Sequence, residues 1–346
     1  MSISQTSSIR KLAERQKKSK TLLLGGLISL LALFSLLSLR CGSQNYTLGE
    51  MFSALANGEA GSPQWRVFVY VRVPRTLACI LSGCALAVAG TLIQAVLNNA
   101  MASPNVIGVN SGAGFFAMLA ATLLPQMPKV IPAASFIGAL CTALLIYALA
   151  VRRRLSRTTL VLAGVTVSSI LTAGINTITL LFPDTIIGAS GFMLGGFSGV
   201  TLEKMKDAVW YIGGGLLLAA AMATNLNVLR LGEETAASLG LNVGLTQFLS
   251  ILAAALLAGA AVSFSGLLSF VGLLVPHAAR RFAGTDQCWL LPTAAFMGAI
   301  FLLGCDVLSR VLFAPFEFPV GIIMSLLGGP FFLSLLLRHK RGKIYD

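Results

Sequence analysis

Few residues in this chain are of a type that could do chemistry. Gly188-Ala189-Ser190-Gly191 sets a serine among glycines, and His277 is one of two histidines. A serine–histidine dyad for nucleophilic catalysis needs the hydroxyl and the imidazole within hydrogen-bond reach. Ser190 falls in a glycine-rich segment and His277 near the end of a short apolar helix, expected on opposite sides of a membrane. A four-residue match of Gly, Ala and Ser also arises readily in a chain with 35 glycines. His277 follows Pro276, which leaves a carbonyl without its helical partner, and an imidazole there can satisfy it. With His277 and His339 alone, no histidine-rich metal site is expected. The cysteines at 41, 79, 84, 141, 288 and 305 lack Cys-x-x-Cys spacing and read as small buried apolar residues. No Gly-x-x-x-x-Gly-Lys-Ser/Thr loop is present, so ATP is not held here by that means.

A second kind of chemistry is recognition. Arg230-Leu231-Gly232-Glu233-Glu234-Thr235-Ala236-Ala237-Ser238-Leu239-Gly240 is a polar island between long apolar runs. It predicts a helix of about two turns, too short to be stable alone. Glu233 and Glu234 sit at the end where the helix dipole favours anions, and Gly240 can close it in a left-handed conformation. Such a helix held between two spans is a surface made to be gripped by another protein.

The elements that position these residues are membrane spans. Of 346 residues, 56% are hydrophobic and 11% charged, with a mean hydropathy of +0.86. A soluble domain would carry roughly a quarter charged residues. The fold class expected is an all-α polytopic membrane protein of about ten spans. The spans lie near 21–39, 76–97, 112–125, 130–151, 158–182, 208–224, 244–264, 267–279, 288–310 and 319–337. The eighth is of half length, and a short outer helix is expected around 185–192. Three parts follow: a basic cytoplasmic segment 1–20, one transmembrane domain 21–337 with the polar helix at about 230–242, and a cytoplasmic tail 338–346.

The net charge of +13 is distributed as a membrane protein distributes it. Arg10 to Lys20, Arg152 to Arg157, Arg280 with Arg281, and Arg338 to Lys343 flank apolar runs. With these inside, the positive-inside rule puts both termini in the cytoplasm. No basic patch is interleaved with aromatics, which argues against nucleic acid. The uncharged, turn-rich stretch 98–112 is expected at membrane depth only where protein or a wet cavity satisfies its backbone. Small residues spaced by four, at Gly108 and Gly112, Gly195 and Gly199, and Ala255, Gly259 and Ser263, predict close helix packing. Ionisable groups, which mark proton and ion relays, are nearly absent from the spans. Asp184 and Asp306 fall towards outer ends and Glu317 in a loop, which speaks against an ion-coupled secondary transporter.

An ordered set of motifs resembles the permease subunits of ATP-binding-cassette importers for iron–siderophore complexes, haem and cobalamin. It comprises Arg72-Val73-Pro74-Arg75-Thr76-Leu77, Gly83 to Gly90 through Gln94, and Ala102-Ser103-Pro104 with Ile107-Gly108-Val109. Gly232-Glu233-Glu234 through Gly240, Phe270 to Leu273 with Val275-Pro276-His277 and Arg280, Asp306 to Arg310, and Pro319-Val320-Gly321 complete it. The resemblance covers about 70 to 340. The family's usual Asn-Pro-Leu-Ala reads Asn99-Ala100-Met101-Ala102 here.

What the resemblance implies is a transmembrane permease subunit in the cell membrane that forms the path for an iron chelate, a ferric siderophore first and haem or cobalamin as the alternative. The chain is then no enzyme. It holds no metal or cofactor, and ATP and Mg are bound by two partner ATPase subunits. A second permease, the same or a related chain, and an extracytoplasmic substrate-binding protein complete the assembly. Glu233, Glu234, Ala236, Ala237, Leu239 and Gly240 match the coupling helix that enters the ATPase. Arg72, Arg75 and Arg310 match docking points for the binding protein. Ser156, Arg157 and Thr158 match the cytoplasmic gate, although an arginine at 157 departs from the small polar residue expected. An ion-coupled secondary transporter and a rhomboid-like protease, the latter built on Ser190 and His277, are the remaining alternatives.

Overall fold

Long apolar stretches with few helix breakers leave the backbone one way to satisfy itself in lipid, and the chain is helical throughout its spans. The structure is a computed structural model that describes residues 3–42, 47, 49, 50, 53, 62–152, 157–312 and 316–341. The helices are α1 (Ile3–Arg40), α2 (Pro63–Val96), α3 (Val109–Leu123), α4 (Val130–Arg152), α5 (Arg157–Leu181) and α6 (Asp184–Leu194). They continue with α7 (Leu202–Leu229), α8 (Glu233–Ser238), α9 (Val243–Ser265), α10 (Val271–Ala283), α11 (Gln287–Val311) and α12 (Val320–Arg341). Among the described residues, seven helices are long and apolar enough to cross a membrane: α1, α2, α4, α5, α7, α9 and α11. The shorter apolar α3 and α12 and the 13-residue α10 account for the other expected segments.

Several boundaries move. Helix α1 runs unbroken through the basic segment expected to precede it. Helix α2 begins at Pro63, inside the stretch expected to be loop up to 72, and passes Pro74 by one π-helical turn, Phe68–Arg72. A proline lacks the N–H and crowds the preceding turn, and the wider turn accommodates both. Helix α10 starts four residues later than expected because 266–270 is spent on irregular backbone. Two of the cysteines read as buried, Cys141 and Cys288, are exposed.

Helices α2 and α9 form the centre. Helix α9 packs on α2, α4 and α7, while α2 packs on α11 and α10. The closest approaches rest on glycines. A Cβ on Gly83 would fall on the carbonyl of Gly298, and one on Gly90 would fall on the carbonyl of Gly272. Gly112 meets Thr142 and the Gly138 carbonyl, as its spacing from Gly108 predicts, whereas Gly199 touches nothing.

The broken backbone finds partners inside the protein. Leu267 N–H donates to Phe192 O at 2.9 Å, Gly196 N–H to Ser265 O at 2.8 Å, and Gly321 N–H to Gly195 O at 3.1 Å. Three irregular segments thereby satisfy one another, as a non-helical chain in a membrane must. Phe270, at φ 68, then turns the chain into α10. In the 98–108 stretch, Gln94 Nε2 donates to Ala102 O at 3.0 Å, Pro104–Ile107 forms a 3₁₀ turn, and Gly108 at φ 71 opens α3.

Candidate functional site

Two ends of the bundle gather the polar residues. At one end lies α8, six residues against the two turns expected. Gly232, at φ 109, turns the chain into it, and Gly240, at φ 84, turns it out, a region an L side chain rarely enters. The exit is a Schellman cap: Leu241 N–H donates to Ala236 O at 3.0 Å and Gly240 N–H to Ala237 O at 2.9 Å. Ala236 is fully buried, so one side of α8 is pinned to the bundle. Glu234, Ala237 and Gly240 are exposed, and Leu231 and Leu239 flank the helix at 62% and 64% exposure. Glu233 is held from within, accepting from Gln247 Nε2 on α9 at 3.2 Å.

Beside α8, the last turn of α7 is tied to the turn between α10 and α11. Asn227 Nδ2 donates to Asp286 Oδ1 at 2.7 Å, and its Oδ1 accepts from Gln287 N–H at 2.8 Å. Asp286 also caps α11, accepting from Cys288 N–H at 3.1 Å. Arg230 Nη1 donates to Thr285 O. Burial works to raise the Asp286 pKa, but the Asn227 bond, the Cys288 N–H and the Lys20 charge outweigh it, and the carboxyl is held below its usual range. Arg280, on α10, donates through Nη2 to Gln94 Oε1 at 2.6 Å and joins α10 to α2. Asn227, Gln94 and Asp286 were given no role in the sequence reading; the signals were Gln94 at the end of a family motif and Asp286 standing ahead of an apolar helix as its cap.

At the other end, Arg72, Arg75 and Arg310 come together. The sequence placed them at outer ends of spans, offered to a partner. In the structure they are only 3%, 5% and 3% exposed. Asp306, fully buried, binds Arg75 Nε at 2.9 Å and Arg310 Nη2 at 2.8 Å. Glu317 takes Arg75 Nη1 at 2.6 Å. Arg72 Nη1 donates to the carbonyls of Leu39 and Arg40 at 2.6 and 2.7 Å, and Arg310 Nη1 to those of Ser38 and Cys41 at 3.1 and 2.6 Å. Two guanidiniums thus close the C-terminus of α1, where orphan carbonyls and the helix dipole favour cations. The clue to Asp306 was its spacing of four from Arg310 on one helix.

Of the expected gate residues, Ser156 lies outside the described residues, Arg157 opens α5, and Thr158 is exposed. Ser190 lies on α6 and His277, half-buried, on α10. No group of three or more His, Cys, Asp or Glu suited to a metal ion occurs among the described residues.

Comparison with known proteins accounts for this arrangement. The model of the FecCD transport family matches residues 30–338. The hemin transport system permease protein HmuU of Yersinia pestis is 36% identical over 335 residues, covering 93% of this chain and 97% of that one. The ferric enterobactin transport system permease protein FepG of Escherichia coli is 33% identical over 319 residues, covering 92% and 96%. Among solved structures, a chain of a metal-chelate type ABC transporter in an inward-facing conformation superposes with a TM-score of 0.79 at 26% identity, over 92% of this chain and 99% of that one. With its helical spans, its short capped helix and matches along nearly its whole length, the chain belongs to the FecCD transport family and is a multi-pass permease of the cell membrane.

Proposed function

We propose that the chain forms half of the path through which an importer moves an iron chelate, a ferric siderophore first and haem as the second candidate. Two ATPase subunits bind ATP and Mg and drive the cycle, a second permease completes the path, and an extracytoplasmic protein delivers the chelate. The observation that carries this reading is α8. A six-residue helix capped at both ends by glycines, with Leu231 and Leu239 bare beside it, is built to be held by another protein at a water-facing end of the bundle. The end bearing α8 is then cytoplasmic, and Glu233 to Gly240 are the coupling residues.

Helix α5 supports the transport reading. Thr166, Ser169, Asn176 and Thr177 are exposed along it among Leu162, Val165, Ile170 and Leu180, and polar residues in that number have little use against lipid. The three hydroxyls each donate to the carbonyl one turn back at 2.9 Å. A wall whose donors are already used lets a bulky solute slide without holding it. Thr158 and Arg157 stand at the cytoplasmic end of that wall, where a gate would act.

Docking of the binding protein at the outer end rests on charge. Arg75 and Arg310 pair with Asp306 and Glu317, and Arg72, bound to carbonyls, adds a third guanidinium whose positive potential suits an acidic partner.

The test is to replace Leu231 and Leu239 together with Asp in the co-expressed transporter. Recovery of the ATPase with the permease is expected to fall at least tenfold, the order of one lost apolar anchor. Undiminished co-purification with undiminished uptake refutes the assignment.

A further inference from the structure

Helix α8 has its own bond to α9, through Glu233 and Gln247, but the span it must move to change the path is further away. The last turn of α7 supplies the connection. Asn227 uses both ends of its amide at once, donating to Asp286 and accepting from Gln287 N–H, while Arg230, three residues on, reaches the carbonyl of Thr285. Residues 285–287 are the last two residues of the 284–286 turn between α10 and α11 together with the first residue of α11. Asp286 is committed there as the cap of α11. A displacement of α8 that draws on residues 230–232 therefore pulls the α10–α11 turn, and with it two spans, through hydrogen bonds rather than through apolar contact.

We infer that Asn227, Arg230 and Asp286 are positioning residues of a joint that transmits movement of α8 to α10 and α11. The inference rests on the reading of α8 as the ATPase-held helix. Apolar packing slides with little directional cost, whereas a two-point amide clamp on a capping carboxylate resists shear in both directions. Helix α10 is also tied to α2, at Arg280 near this same end and at Gly272 in its first turn. Gln94 receives Arg280 and donates to Ala102 O, and Gly90 lets the α10 backbone lie against α2. Movement of the α10–α11 turn is thus passed on to α2 and to the 98–108 turn, which lie at the centre of the bundle.

The geometry allows a swap. Asn227→Asp faces Asp286 with a second carboxylate and breaks the clamp. Asp286→Asn keeps an acceptor for Asn227 and for the cap. The double variant N227D/D286N restores one donor and one acceptor in exchanged positions.

The experiment uses the full transporter, with its ATPase and binding protein, reconstituted in proteoliposomes. Hemin, ferric enterobactin and ferric citrate are offered in parallel, and uptake per ATP hydrolysed is the readout. N227D is expected to lower that ratio about tenfold, within the usual range of coupling between sites, while the hydrolysis rate and thermal midpoint change little. D286N stays within about threefold of the parent, and the double variant returns to that level. Arg230→Gln, which cuts only the Thr285 link, is expected to lower the ratio by a smaller factor, and it decides the matter if N227D fails to assemble. An unchanged ratio in N227D, or in R230Q where N227D does not assemble, overturns the joint, as does a double variant no better than N227D. The Leu231 and Leu239 variant separates the two readings: if it too leaves coupling intact, the role of α8 falls first.

Discussion

Two ion pairs in this chain have nearly the same length and opposite surroundings, and that contrast sets a quantitative expectation. Lys129 and Glu203 meet at 3.0 Å with side chains 85% and 75% exposed. Asp306 meets Arg75 and Arg310 at 2.9 and 2.8 Å, with the three side chains 0%, 6% and 3% exposed. Replacing Glu203 with Gln removes an interaction that water and salt already screen, so little stability is lost. Replacing Asp306 with Asn leaves two buried guanidiniums without their shared carboxylate. Arg75 keeps Glu317 and Arg310 keeps the carbonyls of Ser38 and Cys41, so neither is stranded completely. The cost is nonetheless that of breaking a buried pair, about 3–5 kcal/mol. At the roughly 2–4 °C per kcal/mol typical of 150–250-residue domains, D306N lowers the thermal midpoint by about 6–20 °C, and E203Q leaves it almost unchanged. The assay is thermal unfolding of the purified permease in one detergent. A third variant locates the cost. Changing Arg75 to Met, Asp306 to Leu and Arg310 to Met removes the charges together and is expected to recover much of the loss, because the penalty belongs to the unpaired charge. Equal shifts in D306N and E203Q, or a triple variant worse than D306N, refute the reasoning.

Two other expectations follow from the same packing. Gly90→Ala gains helix propensity of about 1 kcal/mol, but its methyl meets the Gly272 backbone, which no rotamer relieves, so a net loss of about 1–3 kcal/mol is expected. Gly214→Ala on α7, with nothing within reach of a Cβ, keeps the gain, and thermal unfolding of both variants in one detergent checks the opposite signs. At the end that gathers the three arginines, Glu317→Gln adds one net positive charge at a half-exposed rim position. The association rate with the binding protein is expected to rise about threefold at low salt and to converge with the parent at high salt; a rate that does not respond removes the docking assignment.

What could be read from the sequence divides along a physical line. Spans came through because a run of apolar residues declares itself locally, and α8 came through because a polar island between such runs does the same. Its two closing features, a glycine at each end, were partly legible: Gly240 was expected to turn left-handed, but Gly232 was not singled out, since position alone does not distinguish an entry turn from a flexible one. What did not come through are pairings across large sequence separations. Asp306 looked like an isolated acid near a span end, and only the fold sets it between Arg75, 231 residues away, and Arg310. The three arginines were expected to face a partner, whereas their most direct work is inside the chain: Arg72 and Arg310 close the C-terminus of α1, and Arg75 pairs with Asp306 and Glu317. The same holds for glycine. The spacing of four at Gly108 and Gly112 was visible, whereas Gly83 against Gly298 and Gly90 against Gly272 have no repeat to betray them and depend on which helices meet.

That division bears on how the machine works. The locally legible features are those that face something outside the chain: lipid along the spans and, on the reading proposed, an ATPase at α8. The illegible ones are internal fasteners between elements, Arg75 to Asp306 at one end and Asn227 to Asp286 and Gln94 to Arg280 at the other. A permease that rocks must be stiff at some joints and slack at others, and polar fasteners placed at the ends of α2, α10 and α11 make those three helices move as one body. Helix α5 is tied to α3, through Ser111 Oγ donating to Ser168 Oγ at 2.9 Å, and, among the described residues, not to these three helices. Thr166, Ser169 and Thr177 turn their hydroxyls back on their own helix and share its exposed face with Leu162, Val165, Ile170 and Leu180. The helix proposed to line the path thus lies outside the stiff body, and the stiff body is the one that α8 can pull.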